Sequence, residues 1–304
     1  MARRRGDAFR PFGGLLVAGL ACLVSGAAFQ AHAAPGLTVD AEGRLLKDGT
    51  PYRGIGINYF SAFSRTLEDA GDESYREGLA ELAGRGIPFI RFMACGFWPK
   101  GWKLYREDKD AYFRIMDQFV QAAEEYGIGL IPSLFWYNAT VPDLVGEPRG
   151  AWGDPDSKTI AFMRQYTSEV VARYLDSPAI WAWELGNEYS LSADLPNAAE
   201  HRPWICPHWG TPETRSAADD MTHAMVVTAC VEFAKAVRQC DKTRAITTGH
   251  SMPRPAAHHM HTELSWTRDT PEQFAANLRA VTPDPMDMAS VHLYPHAREG
   301  RFGR

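Results

Sequence analysis

The chain has 304 residues, of which 45% are hydrophobic and 23% charged, a composition typical of a globular protein with a sizeable core. Its net charge is −5 and its isoelectric point is about 6.1. No basic field is therefore available to hold nucleic acid, and we exclude that class of function.

The first 33 residues have the pattern of a bacterial export signal. Arginines at positions 3–5 precede an apolar stretch at 13–24, which is too short to span a bilayer comfortably. The A-H-A sequence at 31–33 fits the A-x-A cleavage pattern. We therefore predict cleavage after Ala33 and a catalytic domain over residues 34–304. The mature protein is expected to be secreted or periplasmic, with no membrane attachment.

An exported protein reaches an oxidising compartment, where its four mature cysteines could form disulfides. Cys230 and Cys240 fall in one predicted helix, ~15 Å apart, which is too far for a bridge. Cys95 and Cys206 follow predicted strands and could meet at one end of the fold, so we favour that pair. The alternative is four buried free thiols.

Strand and helix patterns alternate along the mature chain. It opens with a short hairpin at 37–39 and 44–46, which could close the bottom of a barrel. Apolar runs then predict strands covered on both faces, at residues 53–58, 87–92, 128–135, 180–187, 244–249 and 286–294. Helical periodicity and capping signals predict helices at 73–82, 111–126, 158–175, 217–240 and from Thr270 onward.

Helices between consecutive strands imply parallel pairing. The pattern predicts an α/β fold, a (β/α)8 TIM barrel, which typically needs about 250 residues and eight βα units. About six of these units can be identified in this sequence. Only ten residues follow position 294, so we expect the chain to stop before a seventh strand.

The sharpest motif is the Asn187-Glu188 pair at the end of the fourth predicted strand. Barrel enzymes place their catalytic groups at this end of the strands. Cleavage of a glycosidic bond needs a carboxylic acid to protonate the leaving oxygen, and a second carboxylate across the sugar. Burial among aromatic residues such as Trp181 and Trp183 would raise the pKa of Glu188 toward the acid role. The alternative interpretation of the pair is a helix or loop cap.

With these residues, the stretch 54–294 resembles glycoside hydrolase family 5, the cellulase family within the clan of retaining barrel hydrolases. The resemblance rests on Asn-Glu after the fourth strand, an arginine in I-R-F at the second and H-x-Y at the sixth. It implies a site made of Glu188 as acid/base, Asn187 at the sugar 2-hydroxyl, Arg91 supporting the nucleophile, His292 near the acid/base and Tyr294 near the nucleophile.

The chain departs from the family's pattern in two places. Trp136 and its aromatic neighbours stand where family members often carry a histidine, near the end of the third strand. The nucleophile Glu belongs on a seventh strand, and we find none, because Glu299 follows no apolar run. Glu184 lies about 13 Å deeper than Glu188, whereas retaining chemistry needs carboxyl groups ~5 Å apart. We predict Glu184 to be a buried structural carboxylate paired with a barrel arginine.

Aromatic side chains and histidines follow several strand ends. The candidate sugar platforms, each of which could equally be a core residue, are Tyr59, Phe97, Trp98, Trp136 and Tyr137. We place Asn58, at the end of the first strand, at the substrate and interpret the long stretch 191–215 as a cleft wall. His250 and the histidine-rich tract at 258–261 could bind metal, but loop histidines that face solvent or substrate are the preferred interpretation.

These features predict a retaining glycoside hydrolase that cleaves β-glucan or β-mannan polysaccharides or oligosaccharides by double displacement. It is expected to act as a monomer, with no metal and no organic cofactor. The alternatives are a carbohydrate-binding pseudoenzyme and an inactive fragment that lacks the nucleophile strand. Replacing Glu188 with Gln separates an enzyme from a binding protein, because turnover would be lost while sugar affinity would remain.

Overall fold

The structure, a computed structural model, describes residues 36–293, and these begin with a small antiparallel sheet. Its strands are β1 (Leu37–Val39), β2 (Leu45–Lys47) and β3 (Thr50–Pro51). The backbone amide of Leu37 donates to the carbonyl oxygen of Trp181 at 2.7 Å, and its side chain packs on Ala182 and Ala245. The predicted hairpin is therefore confirmed, with its second strand one residue later than expected.

The main sheet of the described residues has five parallel strands, arranged in the order in which they occur along the chain. They are β4 (Ile57–Asn58), β5 (Phe89–Met93), β6 (Gly129–Phe135), β7 (Ala182–Gly186) and β8 (Ala245–Thr247). Ala182 and Ala245 begin their strands, so the hairpin covers the amino ends of β7 and β8. The parallel, sequential order confirms the predicted α/β barrel class, and it brings all the carboxyl ends of the strands to one edge.

Two predicted strands differ from the structure. Of the run 286–293, only Met288 forms a bridge, to Thr247 in β8. The amide of Ile246 donates to the side-chain carboxylate of Asp287 at 2.7 Å. A side chain therefore takes the place of the backbone carbonyl that a paired strand would supply. The first predicted strand is reduced to β4, and the preceding Ile55 is exposed beside the sheet.

Nine helices accompany the sheet within residues 36–293. They are α1 (Ser64–Glu68), α2 (Tyr75–Gly84), α3 (Lys103–Glu107), α4 (Lys109–Tyr126), α5 (Thr140–Val145), α6 (Lys158–Arg173), α7 (His223–Cys240), α8 (Ala257–Glu263) and α9 (Pro271–Ala280). Single 3-10 turns lie at Pro99–Trp102, Arg149–Gly153, Tyr189–Ser192, Ala198–His201, Pro207–Trp209 and Ala217–Asp219. In this part of the chain, no helix is long and apolar enough to cross a membrane.

Capping residues decide where the long helices begin. Helix α4 begins at Lys109, two residues before the predicted start at Ala111, because the carboxylate of Asp108 accepts the amide of Ala111 at 2.9 Å. The helix predicted over 217–240 begins only at His223, because two capping motifs divide the segment. The hydroxyl of Thr222 caps α7, while Ser216 and Asp219 close a separate 3-10 turn with a capping box.

Helices α3, α4 and α6 are fixed against β5 by a cluster of buried aromatic rings. The hydroxyl oxygens of Tyr112 and Tyr166 lie 2.6 Å apart, and Tyr166 donates to the carbonyl oxygen of Ala94 at 2.5 Å. The ring of Trp102 lies edge-on to Tyr166, at a centroid distance of 4.7 Å. This packing holds the carboxyl end of β5, the strand that carries Arg91.

Candidate active site

Side chains from three neighbouring strands meet at the carboxyl edge of the main sheet. Arg91 lies in β5, Trp136 follows β6, and Asn187 and Glu188 follow β7. His292 joins them from the segment beyond β8. The structure thus brings together five of the residues that the sequence places at the site.

Glu188 has a left-handed backbone conformation, with φ 58° and ψ 30°. This conformation is uncommon for a residue with a side chain, and it costs ~1–3 kcal/mol where the surroundings enforce it. Hydrogen bonds hold the segment on both sides. The amide of Glu188 donates to the carbonyl oxygen of Gly249 at 2.9 Å, and the amide of Asn187 donates to that of Trp136 at 3.0 Å. The backbone around Glu188 is therefore attached to both neighbouring strand ends.

The carboxylate of Glu188 is hydrogen-bonded to His292, whose Nδ1 lies 2.8 Å from Oε1. Both side chains are partly exposed, so solvent or a ligand can reach the pair. The hydrogen bond from His292 lowers the pKa of Glu188 below its ordinary value, and burial, which acts in the opposite direction, does not offset it. The ionised carboxylate is therefore the favoured form at neutral pH.

The prediction that Trp181 and Trp183 surround Glu188 is wrong. Trp181 packs edge-on against Tyr52 beside the hairpin, at a centroid distance of 5.6 Å. Trp183 points toward the helices, where its Nε1 donates to the carboxylate of Asp241 at 2.9 Å. Both rings belong to other clusters, and the pKa of Glu188 is lowered rather than raised.

Arg91 and Glu184 form a buried ion pair next to Asn187. Arg91 Nη2 lies 2.7 Å from Glu184 Oε1, and Nε donates to the same oxygen at 2.8 Å. The two side chains are only 14% and 4% exposed. Arg91 Nη2 also donates to the side-chain oxygen of Asn187 at 3.1 Å, and the guanidinium lies 4.2 Å from the ring centre of Trp136. The expected pairing of Glu184 with a barrel arginine is confirmed, and this pair orients Asn187.

Gly249 is a residue of this site that the sequence reasoning missed. Its φ is 70°, and a Cβ atom would lie 1.9 Å from the carbonyl oxygen of Gly186 and 2.7 Å from the carboxyl carbon of Glu184. Only glycine therefore allows the end of β8 to approach β7 this closely while its carbonyl accepts the Glu188 amide. The available signal was a glycine at the end of a predicted strand, which often marks a close approach of another backbone.

The remaining predicted residues lie at the rim or beyond the described chain. The ring of Trp98 lies 6.0 Å from the ring of Tyr137 and 6.0 Å from that of Trp204. Trp204 belongs to the long segment that follows β7. Asn58 pairs in register with Arg91 and is exposed. Tyr294 lies outside the residues that the structure describes. Their roles at a substrate stay predictions.

Comparison with known proteins decides the family. Residues 47–301 match the family described as Cellulase (glycosyl hydrolase family 5). The chain belongs to glycosyl hydrolase family 5.

Relatives of this family 5 chain include fungal proteins named for mannan. It is 42% identical over 96 residues to the probable mannan endo-1,4-beta-mannosidase A-1 of Aspergillus terreus, a match covering 30% of this chain and 24% of the relative. It is 26% identical over 186 residues to the mannan endo-1,4-beta-mannosidase F of Aspergillus clavatus, a match covering 59% and 35%. The matched stretches thus span about a quarter and about a third of these relatives.

Solved structures show the same fold. The endo-1,4-beta-mannanase from Rhizomucor miehei superposes on the family 5 chain with a TM-score of 0.57 and 15% identity. The superposition covers 86% of this chain and 72% of that protein. At this identity the likeness shows the fold alone, and it supports the predicted (β/α)8 barrel class.

The cysteine prediction is wrong for this family 5 chain. Cys95 and Cys206 are free thiols, as are Cys230 and Cys240. Cys95 is buried, and its Sγ accepts the amide of Trp136 at 3.4 Å, while burial raises its pKa to about 12. The side chains of Cys95 and Cys206 do not meet, because Cys95 points into the core and not toward the long segment that holds Cys206.

The histidine tract lies in helix α8 rather than in the loop that we expected. His259 Nδ1 is 2.8 Å from Asp269 Oδ1, and His261 Nδ1 is 3.0 Å from Asp194 Oδ2. These contacts tie the helix to the neighbouring segments. Among the described residues, no group of three His, Cys, Asp or Glu could hold a metal ion.

His250, directly after Gly249, gives the family 5 chain a predictable response to acid. Burial lowers the pKa of His250 to about 3, with smaller effects of the same sign from His292 and His223. The unfolded chain binds this proton near pH 6.5, so the contribution of His250 to the unfolding free energy is expected to fall by about 1.4 kcal/mol per pH unit below 6.5, down toward pH 3. The unfolding free energy, measured by urea unfolding at several pH values, should depend less steeply on pH in His250→Asn than in the wild type. An unchanged dependence on pH would assign the acid sensitivity to other groups.

Proposed function

We propose that this family 5 protein is a retaining glycoside hydrolase that cleaves β-1,4-mannan, with Glu188 as its general acid/base. The observation that carries the proposal is the position of Glu188 at the carboxyl end of β7, hydrogen-bonded by His292. Asn187, whose side-chain oxygen accepts a hydrogen bond from Arg91, would contact the sugar hydroxyl next to the anomeric carbon. The mannan substrate is supported by the names of the two fungal relatives.

The proposed reaction has two displacements. In the first, protonated Glu188 gives its proton to the glycosidic oxygen while a carboxylate nucleophile attacks the anomeric carbon. The carbon–oxygen bond breaks, the leaving sugar departs as an alcohol, and a glycosyl ester forms on the enzyme. In the second, ionised Glu188 takes a proton from water, whose oxygen attacks the anomeric carbon and displaces the ester. We assign no nucleophile among residues 36–293.

The lowered pKa of Glu188 fits its second role better than its first. A negative charge across the sugar would raise this pKa, because a nearby like charge disfavours the ionised form. The ionised nucleophile supplies that charge before the first displacement. The charge disappears when the ester forms, so the pKa of Glu188 falls again just when the reaction requires a base.

Initial rates on two polysaccharides test the proposal. We expect the full-length protein to release reducing ends from β-1,4-mannan with a kcat/KM roughly tenfold or more above that for β-1,4-glucan, because Asn187 is proposed to contact the 2-hydroxyl, whose orientation differs between the two sugars. The first product should be the β anomer, which nuclear magnetic resonance detects before mutarotation. An α anomer would contradict double displacement, and equal rates on both polymers would contradict the choice of mannan. Tight sugar binding without turnover would favour the pseudoenzyme.

We also propose that the protein is exported, with residues 34–304 as its catalytic domain. The support is the arginine-led, apolar amino terminus with its A-H-A site at 31–33. Amino-terminal sequencing of the exported protein is expected to begin at Ala34. A protein that retains Met1 would contradict this proposal.

A further inference from the structure

A continuous row of aromatic rings leads from the candidate active site to the rim. Trp136, whose carbonyl accepts the amide of Asn187, lies 5.0 Å from the ring of Phe60. Phe60 lies 6.4 Å from Phe97, and Phe97 stacks on Tyr137 at 5.3 Å. The row then continues for one more ring. Each step is within the distance at which aromatic side chains pack.

Trp204 is the outermost ring of this row. Its indole stacks on Tyr137 with a centroid distance of 5.6 Å and an interplanar angle of 29°, and Trp98 flanks both rings at 6.0 Å. Trp204 is nevertheless 61% exposed, whereas Trp136 at the inner end is buried. One face of a large flat ring is thus supported by protein and the other is open.

The backbone of Trp204 is fixed although its ring is exposed. Its amide donates to the hydroxyl oxygen of Tyr137 at 3.4 Å, and its carbonyl oxygen accepts Arg215 Nη2 at 3.1 Å. Arg215 is itself held by two hydrogen bonds to Asp143, of 2.6 and 2.7 Å, with both side chains almost fully buried. An exposed tryptophan on such a support is already ordered before any ligand arrives, which reduces the entropy cost of binding.

We propose that the open face of Trp204 is a binding platform for sugar units of the substrate chain that lie away from the bond being cleaved. This inference rests on the proposed function. The C–H face of a pyranose is flat and apolar and stacks on such a ring. The row of rings joins the platform to Asn187 without interruption, so a linear polysaccharide that occupies the active site can extend along it to Trp204. A chain too short to span the row would not contact the platform.

Calorimetric titration with β-1,4-mannohexaose and with mannobiose tests this inference, using Glu188→Gln as the parent to prevent turnover. In that parent, Trp204→Ala is expected to weaken mannohexaose binding about tenfold and to leave mannobiose binding unchanged. Trp204→Phe, which keeps a flat ring, should recover most of the affinity. The matched control is Trp266→Ala, because Trp266 is 52% exposed but lies on the loop between α8 and α9.

The outcomes separate the two proposals. If the parent binds mannohexaose and Trp204→Ala binds it equally well, the platform is overturned while the proposed function stands. Equal weakening by Trp266→Ala would also overturn it, because the effect would not be specific to the row. If the parent binds neither sugar, the proposed function fails, and the inference fails with it.

Discussion

The Glu188→Gln variant is expected to hydrolyse mannan more slowly than the wild type by a factor on the order of 10²–10⁴, while its affinity for mannan oligosaccharides stays close to that of the wild type. Glutamine has nearly the same shape as glutamate, and its amide oxygen can still accept a hydrogen bond from His292 Nδ1, which lies 2.8 Å from the carboxylate. It cannot give up or take a proton. The variant therefore removes the proposed acid/base function with little change in the surrounding hydrogen bonds.

An activated substrate distinguishes loss of catalysis from loss of folding. An aryl β-mannoside with a dinitrophenyl leaving group needs no protonation, so Glu188→Gln should still form the glycosyl ester from it. Azide attacks the anomeric carbon without losing a proton, so it should restore the second step and release a β-mannosyl azide. A misfolded variant would not respond in this way.

Glu200→Gln is the matched control for this substitution. Glu200 is an exposed carboxylate in the 3-10 turn Ala198–His201, on the same long segment after β7, and it accepts a hydrogen bond from Asn197. Its loss is expected to leave the rate on mannan unchanged. If Glu188→Gln keeps a rate within tenfold of the wild type, Glu188 is not the acid/base. If azide has no effect although sugar binding persists, Glu188 does not act as the base of the second step.

The positions of the site residues along the chain could be predicted because they depend on short-range signals. An apolar run that ends in Asn187-Glu188 identifies both a strand and its exposed end, and parallel strands in sequence order place such ends together. The late start of α7 could also be predicted from the sequence, because Ser216 and Asp219 form a local capping box ahead of this helix.

Other features depend on contacts that no local pattern records. The lowered pKa of Glu188 arises from His292, a residue 104 positions further along the chain. The strand expected from position 286 onward does not form over residues 286–293, because the carboxylate of Asp287 accepts the Ile246 amide in place of a backbone carbonyl, which apolar periodicity cannot show. The support of Trp204 likewise depends on Arg215 meeting Asp143 across 72 positions. The residue types indicate which chemistry is possible. Contacts between residues this far apart in the sequence can be identified only from the folded structure.

Removal of Arg91 is expected to be among the most destabilising single changes to this fold. Arg91→Met leaves the carboxylate of Glu184, whose side chain is only 4% exposed, without its partner. Breaking a buried ion pair from one side costs about 3–5 kcal/mol of unfolding free energy, because an uncompensated charge remains in the interior. Urea unfolding monitored by circular dichroism would show the loss as a lower midpoint with an unchanged slope.

The companion substitution Glu184→Gln should cost less, about 1–3 kcal/mol. The amide oxygen can still accept a hydrogen bond from Arg91, and Arg91 keeps its bonds to the Gly186 carbonyl and to Asn187. The double variant Arg91→Met/Glu184→Met should regain part of the loss seen in Arg91→Met, because it leaves no charge buried.

A surface pair of similar geometry provides the control for this series. Arg173 Nη2 lies 2.5 Å from Asp117 Oδ2, but the two side chains are 44% and 41% exposed. Arg173→Met should therefore cost no more than about 1 kcal/mol. The contrast tests burial itself, because the two arginines share the same chemistry and differ in their access to water. Equal costs for Arg91→Met and Arg173→Met would mean that water reaches Glu184 in solution, and Asn187 would then lack the rigid support that its proposed contact with the sugar requires.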